Sequence, residues 1–160
     1  MTWHDITVSM LESVHSTSPR TITLGAWAKA TKRSHLNTPK RSRPALMPHG
    51  HFVGGRTADH CNQHSGVVQL DIDVKHNPNL NPAEIKKLAS THRDIVWCAK
   101  SAGGGVYGFA VRRGDLDQQL NEIEQYLGVQ LDRCNSRSLA ALRFASHDPQ
   151  PYEHIRQTVG

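Results

Sequence analysis

One run of residues constrains this chain more than any other. Val67-Val68-Gln69-Leu70-Asp71-Ile72-Asp73 is apolar and β-branched and closes on Asp-x-Asp. Residues i and i+2 of a strand share a face. Asp71 and Asp73 are therefore expected to project together, about 6–7 Å apart along the strand, while Leu70 and Ile72 point into a core. Adjacent carboxylates repel each other unless a cation lies between them. Hard divalent ions take carboxylate oxygens and keep positions open for substrate phosphates. Two such ions can activate an attacking oxygen and stabilise a leaving one. The competing reading is a strand end with two solvated acids, and the spacing alone does not choose between them.

The 160 residues are enough for one domain with a real core. We read a basic N-terminal extension and loop over 1–58 and a core over 59–150. The formal net charge is +5, and the cations are unevenly placed. No Asp or Glu occurs between Ser13 and Ala58, a stretch that holds Arg20, Lys29, Lys32, Arg33, Lys40, Arg41, Arg43 and Arg56. A block of one sign favours a polyanion, nucleic acid by default. Lys40, Arg41, Arg43 and Arg56 are the candidate contacts; a basic arm without a specific partner is the alternative. No apolar run reaches the roughly 20 residues of a membrane span, and the N-terminus lacks a signal-peptide pattern. Cys61, Cys98 and Cys134 show no paired spacing, which fits a reducing, cytoplasmic setting.

Thr21–Leu24 reads as a short strand and Gly25–Arg33 as a helix. His35–Gly55 is rich in Pro, Gly and cations and reads as a long loop. Asn81-Pro82-Ala83-Glu84 has the cap, first-turn proline and acid of a helix start. That helix is expected to reach about His92 and to bury Ile85, Leu88 and Ala89. Asp94–Ala99 and Val106–Val111 form a hairpin around Gly103-Gly104-Gly105. Leu116, Leu120, Ile123 and Leu127 recur at helical spacing before Gly128. Val129–Asp132 and Leu142–Ala145 read as short strands. The order from Val67 onward predicts an α+β fold: a split βαβ (RRM/ferredoxin-like) mixed or antiparallel sheet with two helices on one face.

That topology brings three places together: Asp71 with Asp73, the hairpin Lys100–Gly105 with Tyr107, and Asp132. Glycines let backbone N–H groups approach phosphate oxygens, and Lys100 and Ser101 add a charge and a hydroxyl. The glycine run also reads as a plain hairpin turn. Arg143 serves equally as a phosphate ligand or as half of a salt bridge.

The region from Arg43 onward resembles the small primase-polymerase domains of the archaeo-eukaryotic primase superfamily. It is most similar to those at the N-terminus of virulence-protein-E-like replication proteins of phages and mobile elements. Three ordered motifs carry the likeness. Pro44-Ala45-Leu46-Met47-Pro48-His49-Gly50-His51-Phe52 precedes His64-Ser65-Gly66-Val67-Val68-Gln69-Leu70-Asp71-Ile72-Asp73. Ser101-Ala102-Gly103-Gly104-Gly105-Val106-Tyr107-Gly108-Phe109 follows. Leu131-Asp132 and Leu142-Arg143-Phe144-Ala145-Ser146-His147-Asp148-Pro149 complete the set. The resemblance implies a template-directed nucleotidyltransferase, a DNA primase or polymerase. Asp71, Asp73 and Asp132 would hold Mg²⁺ or Mn²⁺. Lys100, Ser101, Gly103, Gly104, Gly105, Tyr107 and Arg143 would contact an NTP or dNTP. Tyr107 stands where many members carry a phosphate-binding histidine. The partners implied are a single-stranded DNA template and a replicative helicase, separate or in a further C-terminal domain. The setting implied is a bacterial or phage-infected cell.

Three other functions fit parts of the sequence. His49, His51, His60, Cys61 and His64 include zinc-ligand types, but at no common zinc-module spacing. His49 and His51 with Tyr126 resemble the elements of a rolling-circle-type HUH nickase. A non-catalytic nucleic-acid-binding domain would stack bases on exposed Trp97, Tyr107 and Phe109.

Overall fold

The computed structural model describes residues 2–33 and 38–155. In chain order its strands and α-helices are β1 (Thr7–Leu11), β2 (Arg20–Thr23), α1 (Leu24–Arg33), β3 (Ala45–Met47), β4 (Gly50–Phe52), β5 (Cys61–His64), β6 (Val67–Ile72), α2 (Pro82–Ala89), β7 (Ile95–Lys100), β8 (Val106–Val111), α3 (Leu116–Leu127), α4 (Arg133–Arg137), β9 (Arg143–Phe144) and β10 (Tyr152–Glu153). The fold is α+β, and its sheets are antiparallel. One sheet has the order β2-β1-β3-β9, the other β10-β7-β8-β6, and β4-β5 form a separate hairpin.

Strand β8 lies between β6 and β7 and pairs antiparallel with both. Alternation along these strands divides two cores. Val68, Leu70, Ile72, Ile95 and Cys98 pack with Ile85 and Ala89 of α2 and Leu120, Ile123 and Leu127 of α3. On the opposite face Val67, Trp97, Tyr107 and Phe109 meet Trp3, Val8, Met10, Leu24, Trp27 and Leu46. Residues before position 58 thus supply one whole side of this second core. Burial of each large apolar side chain contributes about 1.5–3 kcal/mol.

The helix starts follow their sequence signals. The Asn81 side chain accepts from the amides of Ala83 (3.1 Å) and Glu84 (3.4 Å). Helix α2 is shorter than expected and leaves Leu88 41% exposed. Hydroxyls of Ser90 and Thr91 bind the Lys87 and Leu88 carbonyls, competing with continued helix. Gly128 closes α3 at φ +67°, in the left-handed region that favours glycine.

Three further expectations are corrected. Within the loop expected over His35–Gly55, Ala45–Met47 forms a wholly buried strand and Gly50–Phe52 another; positions 34–37 lie outside the described residues. The strand expected over Val129–Asp132 does not form. The Gln130 amide donates to Asn77 Oδ1 (2.8 Å), the Leu131 amide donates to Glu124 Oε2 (2.8 Å), and Asp132 caps α4. Side chains thus satisfy the backbone in place of a ladder. Trp97, Tyr107 and Phe109 are fully buried between the sheets, so they offer no base-stacking surface. No helix among the described residues is long and apolar enough to cross a membrane.

Candidate active site

Strand β6 occupies the edge of its sheet, and its free side is closed by individual groups. The Gln69 amide donates to His49 Nε2 (2.9 Å), Ser136 Oγ donates to the Gln69 carbonyl (2.7 Å), and the Asp132 amide donates to the Asp71 carbonyl (2.9 Å). These contacts stand where a fourth strand would pair, and they protect an edge that is otherwise open to aggregation. Because His49 Nε2 accepts, Nδ1 carries the proton and donates to the Ser138 carbonyl (2.7 Å). Burial holds the His49 pKa below the usual histidine value. The Ser138 carbonyl opposes this, while Arg112 and His64 add to it.

Asp71 lies opposite Tyr107 in the β6–β8 register, on the face that looks toward β9. Its Oδ2 is 3.0 Å from Arg143 Nη2 and accepts from Asn135 Nδ2 at 2.7 Å. The same Asn135 nitrogen is 3.4 Å from Asp132 Oδ2. Asn135 therefore joins two of the three expected acids. Arg143 also donates through Nε to Gln69 Oε1, and its guanidinium stacks 4.7 Å above the Tyr107 ring. The Tyr107 hydroxyl accepts from Trp27 Nε1 (2.9 Å), and burial pushes its pKa up. Gln69 Nε2 and Arg143 Nη2 are buried without a hydrogen-bond partner among the described residues; the Arg143–Asp71 approach is an ion pair by distance only.

The third acid is oriented differently. Asp73 lies just beyond β6, and its Oδ1 accepts from the Lys75 amide (2.8 Å), closing a turn. Among the described residues, no group of three or more His, Cys, Asp or Glu side chains is placed to hold a metal ion. Asp71 and Asp132 nevertheless converge on one donor, the Asn135 side-chain nitrogen.

The glycine hairpin abuts this end of β6. A Cβ on Gly105 would lie 2.3 Å from the Ile72 carbonyl oxygen, so only glycine fits there. Gly103 and Gly104 are exposed, and Gly104 adopts φ +89°. The Ser101 amide donates to the Gly105 carbonyl (2.9 Å), and the Lys100 side chain is exposed. Asp148 anchors the hairpin base: it accepts from the Lys100 amide (2.9 Å), the Gln150 amide (2.9 Å) and Lys86 Nζ (3.0 Å). Burial works against ionising Asp148, but those donors outweigh it and hold the pKa below the usual carboxylate range.

The basic block divides. Arg43 donates to the Thr38 and Ala145 carbonyls, and Arg56 donates to those of Val14 and Ser16, so both clamp backbone. Lys40 lies over the Phe144 ring, and Arg41 is exposed beside it. His51 binds Thr21 and Asn62, whereas His49 binds Gln69 and Ser138. Tyr126 hydrogen-bonds Thr91 and packs on His92. The nickase set thus shares no hydrogen-bond partner.

Sequence reasoning missed Asn135, Gln69 and the edge-closing role of His49. Gln69 carried a signal, a polar residue two positions before Asp71 within an apolar strand. Asn135 carried none beyond its place three residues after a capping acid. Comparison of the chain with protein-family models, curated proteins and solved structures finds no match to any of them.

Proposed function

We propose that the chain is a metal-dependent nucleotidyltransferase of the primase-polymerase type, acting on a single-stranded DNA template in phage or mobile-element replication. One observation carries the reading. Asp71 and Asp132, far apart in sequence, meet at Asn135 beside Arg143, and an exposed glycine hairpin abuts the same strand end. The crossover of α2 between β6 and β7, with β8 between them, supports a split βαβ core of that type. Asp71 and Asp132 would hold Mg²⁺ or Mn²⁺, which would supply Lewis-acid polarisation of a phosphoryl oxygen. Lys100, Ser101 and the amides of Gly103 and Gly104 would bind the triphosphate of an NTP or dNTP. Arg143 balances the charge of Asp71 and positions its carboxylate. A helicase would be a separate partner or a further domain.

A second reading, a nucleic-acid-binding domain without catalysis, is favoured by the Arg143–Asp71 ion pair, which neutralises the acid without a metal. Primer synthesis and extension on single-stranded DNA with Mg²⁺ or Mn²⁺ separate the two. Asp132→Asn is the control, because asparagine caps a helix as well as aspartate does. Metal-dependent product from the wild type, lost in Asp132→Asn, supports catalysis. No product with DNA binding intact supports the second reading.

A further inference from the structure

At the other end of β6, away from Asp71, a cavity of about 340 Å³ opens between the β5–β6 turn, the residue after β8, the start of α3 and α4. Its volume falls within the range of small-molecule sites. Val67, Leu116 and Leu139 contribute an apolar floor, Arg112 and Arg137 supply cationic groups, and His64 adds an imidazole. No Asp or Glu lines it. Neither the Arg112 nor the His64 side chain has a hydrogen-bond or ion-pair partner among the described residues, and both are exposed. Among the described residues the Arg137 side chain engages the exposed Asp117, at 2.6 Å. An exposed pair of this kind contributes little and yields readily to a stronger anion. Arg112, without a counter-charge in the lining, raises the local concentration of anions.

We infer that this cavity binds a phosphate-bearing nucleotide unit. Arg112 and Arg137 hold the phosphate and His64 assists, while the base or sugar rests on the Val67–Leu116–Leu139 floor. Arginine suits phosphate because its planar fork can donate two parallel hydrogen bonds. The unit is either one residue of a single strand or a free nucleoside phosphate. Along β6, Val68 in the cavity wall lies three positions from Asp71, about 10 Å at strand rise. The site is thus distinct from the Asp71–Asp132 cluster and does not depend on nucleotidyl transfer.

The test is fluorescence anisotropy with a labelled oligothymidylate in EDTA, with AMP as competitor in a second arm. The variants are Arg112→Glu, Arg137→Ala and Lys87→Glu. Lys87 is an exposed cation on α2 and controls for net charge. Arg112→Glu should weaken oligonucleotide affinity about tenfold and lower the salt slope by roughly one phosphate contact. Arg137→Ala should weaken it several-fold, and Lys87→Glu should have little effect. If AMP displaces the oligonucleotide from the wild type, a single nucleotide fills the cavity. If AMP binds and loses affinity in Arg112→Glu while the oligonucleotide is unaffected, the ligand is the free nucleotide. Equal affinity of Arg112→Glu and Lys87→Glu for both ligands would overturn the inference. Because no metal is present, failure of the nucleotidyl-transfer reading leaves this outcome untouched.

Discussion

Asp71→Asn separates two views of the same residue by the sign of its effect. An Asp-x-Asp pair without a cation is repulsive, so neutralising one acid should leave stability unchanged or raise it. The folded chain reverses that expectation. Asp71 faces Arg143 at 3.0 Å, and their side chains are only 13% and 12% exposed. Removing the charge leaves a buried guanidinium with a weakened partner. Breaking a buried pair costs about 3–5 kcal/mol. Asparagine retains an oxygen for Arg143 and Asn135, which places the loss near the lower end, about 3 kcal/mol. For a chain of this size that corresponds to a fall in Tm of about 6–12 °C. The measurement is metal-free urea unfolding followed by the fluorescence of the buried Trp3, Trp27 and Trp97. A cycle with Arg143→Met isolates the pair, and the double variant should recover about 1–3 kcal/mol relative to the sum of the singles. A loss below about 1 kcal/mol with no coupling would refute the pairing.

Further outcomes follow from particular contacts. Wild type should exceed Asp148→Asn in Tm at pH 6, and the gap should close below about pH 3.8. The folded-state pKa lies below the unfolded one, so the stabilisation is complete above the unfolded pKa and disappears as pH falls through the folded one. Gly105→Ala should lower Tm because its Cβ meets the Ile72 carbonyl, whereas Gly103→Ala, with open space around it, should be close to neutral in the same melt. In thiol labelling of the native protein, exposed Cys134 should react first. Cys98, buried and with its pKa pushed up to about 12, should react only on unfolding.

Much of the Val67–Leu127 region was legible because its periodicities agree with its punctuation. Asn81-Pro82 opens a helix, the glycine run turns a hairpin, and Gly128 ends α3. The strands before it were harder to read. Ala45–Met47 is short and flanked by prolines and cations, so its burial against β1 comes from tertiary packing that no local pattern records. Val129–Asp132 is the opposite case. Its residues suit a strand, but Asn77 and Glu124 satisfy its amides first. At the site, the strand expected to carry Asp132 to Asp71 does not form, and the two acids share the Asn135 side chain from the α4 cap instead. The ion pair to Arg143 was not legible either, because β9 joins the other sheet and brings Arg143 in from across the core.

The most direct test of the proposed site is a Mn²⁺ titration followed by electron paramagnetic resonance, on wild type and Asp132→Asn with and without a nucleoside triphosphate. The wild type should show a saturable Mn²⁺ site that tightens with triphosphate and is lost in the cap-preserving Asp132→Asn. Mn²⁺ binding that is absent from the wild type, or unchanged in Asp132→Asn, would rule out a metal held by Asp71 and Asp132.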